Sequence, residues 1–343
     1  MKLDLFDYYL PEHLIAQYPS NKREQSRLLV VNKTSKTYED KTFVNIIDYL
    51  NAGDVLVRNN TKVIPARLVG YKVPTGAKVE VLLLRNTEGT VYECLCGNAK
   101  TVKLGTKLVF GNDGLLEGEC IEVKNEGIRM IKFAFDGVFM EILEQLATIP
   151  LPPYIEDKKE KYARYQTVYA KVLGSAAAPT AGFHFSEQLL EEIKAKGVEI
   201  VDITLNIGLD TFRPVKVENT SEHKMHSEYY AIEEEVANLL NSCKKTGRRI
   251  IAVGTTAVRT LEANFKKHGR FAGESSETDI FITPGYKFEA IDCLLTNFHL
   301  PKSTLLMLVS AYAGREFVLE CYNYAVRSKY RFFSFGDAMF IHG

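Results

Sequence analysis

Hydrophobic positions change their period twice along this chain. Over residues 1 to about 62 helix and strand patterns mix. RLLVVN (Arg27–Asn32) predicts a strand, and FVNIIDYL (Phe43–Leu50) a helix with Gly53 just past its end. DVLV (Asp54–Val57) predicts a short strand running into Asn59, Asn60 and Thr61. From about Val63 to Pro150 the pattern is all-β. KVEVLLL, VYECLC, TKLVF, GECIEV and IRMIKFAF are short β-branched and aromatic runs, separated by turns rich in Gly, Asn and Asp. Cys94 and Cys96 alternate with Leu95 and so share one face of a strand.

The proline-rich IPLPPYI (Ile149–Ile155) leads out of the β module, and strands and helices then alternate. EQLLEEIKAKG is a helix with Leu189, Leu190 and Ile193 as its apolar stripe and Gly197 at its stop. VEIVDITLNI is a strand. The next helix runs from about Glu233 to Lys245, with acids in its first turn and lysines in its last. RIIAVG and DIFIT predict strands, and TAVRTLEANFKK and STLLMLVSAYAG helices. Such alternation implies a largely parallel sheet flanked by helices. The expected fold is α/β: a discontinuous large domain of residues 1–62 and 151–343 with an inserted all-β domain, a barrel or sandwich, at 63–150. A ligand cleft between the two is expected, since pockets favour domain interfaces.

Composition narrows the function classes. Among 343 residues, Lys+Arg and Asp+Glu both number 43. Zero net charge argues against coating nucleic acid by bulk electrostatics, although a local basic patch stays open. Six scattered cysteines without a Cys-x-x-Cys pair, an acidic start and no long apolar run predict a reduced cytoplasmic protein.

Five segments carry candidate chemistry. In GSAAAPTAGFHFSEQLL (Gly174–Leu190), small residues allow close backbone approach, and His184 precedes a helix capped by Ser186. The alternative is a tight turn with a bonded histidine. RIIAVGTTAVRTLE (Arg249–Glu262) is a strand–turn–helix unit with Thr255 or Thr256 as the expected cap. Its Arg259 either pairs with Glu262 on the surface or faces a cleft as an anion ligand. His223, His226 and Glu228 suit acid–base or binding work better than metal, for want of a Cys pair or a His-Glu-x-x-His spacing. TNFHLPKST (Thr296–Thr304) carries Asn297 and His299, with Pro301 and Ser303 starting a helix. In YRFFSFGDAMFI (Tyr330–Ile341), Gly336 and Asp337 break a strand, as a bulge or a cleft carboxylate. Basic clusters lie at Lys158, Lys159, Lys161 and Arg164, at Lys244, Lys245, Arg248 and Arg249, and at Arg327, Lys329 and Arg331.

These segments, with RNNTKVIPARLVG, VEVLLL, LPPYI, RYQTVYAKVLGSAAAPTAGFHF, HKMHSEYY and DIFITPGYKFEAIDCLLTNFHLPKSTLLMLVSAYAG, stand in the order of one family. The chain closely resembles the S-adenosylmethionine:tRNA ribosyltransferase-isomerases of queuosine biosynthesis. The resemblance implies a barrel-like α/β large domain with a β-barrel insert. It implies transfer and isomerisation of the ribosyl group of S-adenosylmethionine onto 7-aminomethyl-7-deazaguanine at the wobble position of tRNAs with a GUN anticodon. Epoxyqueuosine forms, and adenine and methionine leave. S-adenosylmethionine is then a consumed co-substrate; no cofactor or metal and no membrane is expected, and a monomer is.

On that basis His184 and His226 are candidate acid–base groups and Arg259 the ligand of the methionine carboxylate, with Asp337 or Glu228 near the sulfonium. Phe183, Phe298 and Tyr229 would line the pocket. Thr180, Gly182, Thr255, Thr256, Asn297 and His299 would shape it, and Asn60, Lys62 and Arg67 would meet the anticodon stem-loop. The chain departs from the family pattern at Asn206 and Asp210, where His and Gly are expected, and in CLCGNAKTVKLG, which lacks an expected proline and tryptophan. Rival readings are a non-catalytic tRNA-binding protein, which would bind tRNA indifferently to S-adenosylmethionine, and a metal hydrolase built on His223, His226 and His184, which a chelator would silence.

Overall fold

Strand residues of alternating parity bury on opposite sides of one large sheet, and this sets the architecture. The computed structural model describes the chain except for residues 112–113, 153, 157–162, 209–214 and 216. It divides into two compact units, Met1–Lys62 with Pro153–Gly343, and Val63–Pro152.

The larger unit holds a nine-stranded sheet in the order Glu274–Thr278, Glu228–Ile232, Glu199–Leu205, Val55–Asn59, Ile250–Val253, Cys293–Asn297, Ala338–His342, Arg27–Asn32, Thr37–Thr42. The four strands from Glu199–Leu205 to Cys293–Asn297 are mutually parallel. Ala338–His342 runs antiparallel to Cys293–Asn297, and both edges close with antiparallel strands. The sheet is therefore mixed rather than largely parallel: two successive helices, Thr304–Ala313 and Arg315–Arg327, separate Cys293–Asn297 from the carboxyl-terminal strand, which enters the sheet in the opposite direction.

Leu28, Val30, Leu56, Ile251, Val253, Leu295 and Phe340 bury one face against the helix Glu187–Ala195 and the turn Phe43–Tyr49. Leu29, Val31, Val55, Val57, Ala252, Leu294 and Ile341 bury the other, with the helices Glu234–Thr246, Gly254–His268, Thr304–Ala313 and Arg315–Arg327. Ser186 and Ser303 cap their helices by accepting the N–H of Leu189 (3.1 Å) and Leu306 (3.2 Å).

Three local expectations are corrected. Phe43–Tyr49 is a 3₁₀ helix, entered by a capping box of Thr42 and Asn45. Val44, Ile46 and Ile47 are β-branched, and such residues favour a full α-helix less. DIFIT is not a strand; the strand is the preceding ESSET (Glu274–Thr278), because edge pairing with Glu228–Ile232 outweighs intrinsic propensity. Neither Thr255 nor Thr256 caps its helix, which begins at Gly254 with no side-chain cap.

In the smaller unit the strands Arg67–Val73, Lys78–Glu88, Val91–Cys96, Ile128–Ala134, Leu116–Val123 and Lys107–Phe110 pair in that order, and the last closes onto the first. They form a six-stranded antiparallel barrel. Cys94 and Cys96 are buried there, and a helix, Phe139–Leu146, follows the last strand.

Phe298, expected to line a pocket, is fully buried in the larger unit. Its ring lies 5.2–5.3 Å from those of Tyr322, Tyr330 and Phe332. Phe298→Ala should lower unfolding stability by about 3–5 kcal/mol, read from urea denaturation. A shift in substrate affinity at unchanged stability would place the ring in a binding site instead.

Candidate active site

Parallel strands deliver their carboxyl ends to one edge of a sheet, where ligands of open α/β folds bind. Here that edge carries an open cleft. Ile207 follows the strand Glu199–Leu205, Gly254–Thr256 follow Ile250–Val253, and Thr296, Asn297 and His299 end Cys293–Asn297. Ala177–Ala181 and the pair Phe333 and Ser334 complete the wall. Every lining residue belongs to the larger unit.

The small-residue loop is pinned from below. Ser175 Oγ accepts the N–H of Ile207 (2.8 Å) and donates to the carbonyl of Ala177 (2.8 Å). Ala181 and Gly182 then turn as part of a 3₁₀ segment, Thr180–His184. A Cβ on Gly182 would stand 2.0 Å from the Tyr169 hydroxyl, so no larger residue fits. Opposite, the helix Gly254–His268 opens at the cleft, and Gly254 adopts φ +87°. A helix start leaves backbone N–H groups without intrahelical partners, and its dipole favours negative charge. Thr256 Oγ1 is buried there without a hydrogen-bond partner among the described residues.

Asn297 and two histidines form the polar floor. Asn297 Nδ2 donates to the carbonyls of Phe333 (2.8 Å) and Ser334 (3.3 Å), which leaves Oδ1 facing His184 Nε2 at 3.2 Å. We therefore assign the His184 proton to Nε2, with Nδ1 accepting from Ser26 Oγ at 2.6 Å. Both ring nitrogens are engaged, and the ring stacks on Phe43 at 4.9 Å. Burial above all lowers the His184 pKa to about 4; Arg331 and Arg23 add to this and the Asn297 bond opposes it. His299 bonds Thr296 Oγ1 through Nε2 (2.8 Å), and burial lowers its pKa to about 3. Its Nδ1 has no partner among the described residues.

The other expected residues fall elsewhere. Arg259 pairs with Glu228 rather than with Glu262, and both partners are buried. Glu228 also accepts the Gly208 N–H (3.0 Å) and faces His226 Nε2 (3.1 Å). Burial pushes the Glu228 carboxyl up, but Arg259, His226 and the Gly208 N–H together hold it below its usual range. Arg259 Nη2 is buried without a partner among the described residues. Glu262 instead accepts the N–H groups of Glu289 and Ala290. His223 packs edge-on against Phe281, and no cluster of three or more His, Cys, Asp or Glu among the described residues could hold a metal.

Tyr229 is 42% exposed. Asp337 lies outside the cleft lining. Its carboxylate accepts the N–H groups of Arg27 (2.9 Å) and Arg331 (2.8 Å), fastening the loop that carries Phe333 and Ser334. Burial raises its pKa against those bonds. Asn60 Oδ1 accepts from Thr204 Oγ1 (2.8 Å), Lys62 is exposed, and Arg67 lies in the barrel with Nε 3.4 Å from Glu80. Asp210, Lys158, Lys159 and Lys161 lie outside the described residues.

Of the expected residues, Thr180, Thr255, Thr256, Asn297 and His299 meet in the cleft. Phe183 and His184 border a neighbouring recess. Sequence reasoning missed Ile207, Thr296, Leu305, Phe333 and Ser334. Phe333 adopts φ +73°, a conformation a non-glycine residue rarely takes and that often marks a functional site.

The family described as "Queuosine biosynthesis protein" matches residues 3–341. The chain belongs to this family. Within it, the chain is 55% identical over 341 residues to a protein of Staphylococcus saprophyticus named S-adenosylmethionine:tRNA ribosyltransferase-isomerase, covering 99% of this chain and all of that one. It is also similar to the crystal structure of S-adenosylmethionine tRNA ribosyltransferase from Thermotoga maritima, with 37% identity, a TM-score of 0.57, and coverage of 98% of this chain and 99% of that one. Among the described residues of this family member no helix is long and apolar enough to cross a membrane.

Two outcomes follow from the cleft's proton order. With folded pKa values of about 4 and 3, His184 and His299 stay neutral in the fold while the unfolded chain protonates near 6.5. Stability is then full above that pH and falls as the pH drops through the window. Each histidine contributes up to about 1.4 kcal/mol per pH unit. Urea midpoints between pH 7 and 5 check this, and His299→Gln should flatten the slope by about one proton's share. Second, Asp337→Asn turns an amide N–H towards a backbone donor. It should lower stability by about 1–3 kcal/mol and reduce turnover more than tRNA binding; unchanged melting would remove the clamp assignment.

Proposed function

We propose that this chain transfers and isomerises the ribosyl group of S-adenosylmethionine onto 7-aminomethyl-7-deazaguanine at the wobble position of GUN-anticodon tRNA, forming epoxyqueuosine and releasing adenine and methionine. The observation that carries the reading is the cleft of small residues and an uncapped helix start, in a chain that aligns end to end with a relative named for this activity.

The sulfonium makes the adjoining ribose carbon acidic, so a base must take a proton, and the departing adenine must receive one. The start of Gly254–His268, with Thr255 and Thr256, suits the methionine carboxylate. Arg259 adds positive charge one helical turn further on, although Glu228 offsets part of it. His299 Nδ1 and Asn297 suit the nucleoside. His184 holds Asn297 and the small-residue turn in register. His226, less buried than Glu228, is the candidate for proton exchange, with Glu228 orienting its ring. The cytoplasm, where tRNA is modified, is the proposed location.

One incubation tests this. Protein, S-adenosylmethionine and tRNA carrying the aminomethyl base should yield epoxyqueuosine by nucleoside mass spectrometry, with adenine released only when that tRNA is present. Tight tRNA binding without adenine release would favour a pure binding role. Full activity in chelator is expected, and its loss would point to a metal. Asn297→Ala should cut kcat/KM by on the order of 10–100-fold, the worth of a buried bond to a charged or reacting group.

A further inference from the structure

Most buried or half-buried arginines of the larger unit face a carboxylate: Arg58 meets Asp202, Arg249 meets Asp54, Arg248 meets Glu199, and Arg259 meets Glu228. Three arginines at one place do not. Arg23 donates to the carbonyls of Phe183 and Gln166, both at 3.0 Å. Arg164 donates to the carbonyls of Ser20 (3.0 Å) and Asn21 (3.5 Å), and its Nε is buried without a partner among the described residues. Arg331 donates to the carbonyls of Phe335 (2.6 Å) and Tyr18. Carbonyl acceptors satisfy the N–H groups but leave the charge unbalanced. Among the described residues the compensating charge is partial: Asp337, bound to backbone N–H groups, acts on Arg331, and Glu24 acts on Arg23.

Arg23 and Arg164 border the same small, open recess, with Ser20, His184, Ser334 and Phe335. Arg331 reaches its wall through the Phe335 carbonyl. Arg23 feels this crowding: burial, then the charge of Arg164, lowers its pKa. Like charges gathered in a concave, partly desolvated place are stabilised by an anion between them, and guanidiniums suit phosphate oxygens. Ser334 borders both this recess and the cleft, so occupants of the two would be neighbours.

We infer that the recess between Arg23, Arg164 and Arg331 binds a backbone phosphate of the tRNA, next to the nucleotide whose base enters the cleft. The inference rests on the ribosyl-transfer reading for the identity of the RNA. Backbone carbonyls hold the guanidiniums in place before the RNA arrives, so the phosphate meets a preorganised anion site. The methionine carboxylate is the other source of a negative group here, and the experiment separates the two.

Full-length wild type, Arg164→Gln, Arg164→Lys and Ser20→Glu are compared in tRNA-binding titrations over a salt series, with the KM for S-adenosylmethionine measured from adenine release at saturating tRNA. Arg164→Gln should weaken tRNA binding about fivefold to tenfold and flatten the log–log salt dependence by about 0.7–0.9, the share of one phosphate contact. Arg164→Lys should keep the salt slope. Ser20→Glu, which leaves every arginine in place but puts a carboxylate at the recess, should weaken binding at least as much as Arg164→Gln. The KM for S-adenosylmethionine should stay within about twofold in all of them. Wild-type affinity and slope in Ser20→Glu would overturn the inference, as would a raised KM for S-adenosylmethionine with tRNA affinity intact. Absence of product from wild type would strike the ribosyl-transfer reading alone, since the salt series needs no turnover.

Discussion

The orientation of one buried amide governs the cleft. Asn297 stands at the carboxyl end of a central strand and joins segments far apart in sequence, at His184 and at Phe333 and Ser334. Because its Nδ2 must serve two carbonyls, its oxygen must face His184, and the proton on that ring is fixed in turn. Ser26 completes the sequence by donating to the ring's other nitrogen. Reversing any one of these groups would leave a buried donor facing a donor, which costs about 1–3 kcal/mol per unmet group. The neutral His184 is thus part of the wall, and the low pKa that burial gives it keeps that wall intact at neutral pH.

The loop opposite obeys the same logic. Phe333 sits at positive φ, a strained state that persists only where the surroundings determine it. Those surroundings are the Asp337 carboxylate, the Asn297 amide and the Tyr154 hydroxyl on Ser334. A carboxylate that accepts two backbone N–H groups is a fastener, and its work is to hold Ser334 between the cleft and the arginine recess. The charged machinery is likewise separated from the polar floor. Glu228, Arg259 and His226 form their own buried group, joined to the cleft through Gly208 and the adjoining Ile207.

Much of this could be read from the chain, for a physical reason. Buried strands and small-residue loops leave strong local patterns, so Arg27–Asn32, Ile250–Val253 and the turn holding Thr180 were legible, as was the helix start at Ser303 after His299. What escaped depends on partners distant in sequence. Asp337 beside Gly336 reads the same whether its oxygens meet a ligand or the N–H groups of Arg27 and Arg331. Phe298, next to Asn297 and just past the strand end, packs into the aromatic core against Tyr322, Tyr330 and Phe332. ESSET became the edge strand through pairing, with Tyr230 donating to Glu274, although DIFIT has the higher propensity. The convergence of Arg23, Arg164 and Arg331 crosses more than 300 residues and no local window contains it.

Asn206, where the family pattern leads one to expect histidine, shows how packing constrains the chemistry. Its Oδ1 accepts from Thr61 Oγ1 (3.2 Å), and its amide lies so close to Gly174 that a Cβ there would stand 2.8 Å from Nδ2. The amide therefore ties the strand end at Leu205 to Thr61 and packs against Gly174, a task that needs a hydrogen bond and close fit but no titration. An amide cannot exchange protons near neutral pH. Proton transfer in this chain must then rest on groups that can titrate and reach a ligand. His184 has neither nitrogen free, whereas His299 keeps an open Nδ1 at the cleft wall and His226 stands half-buried against Glu228.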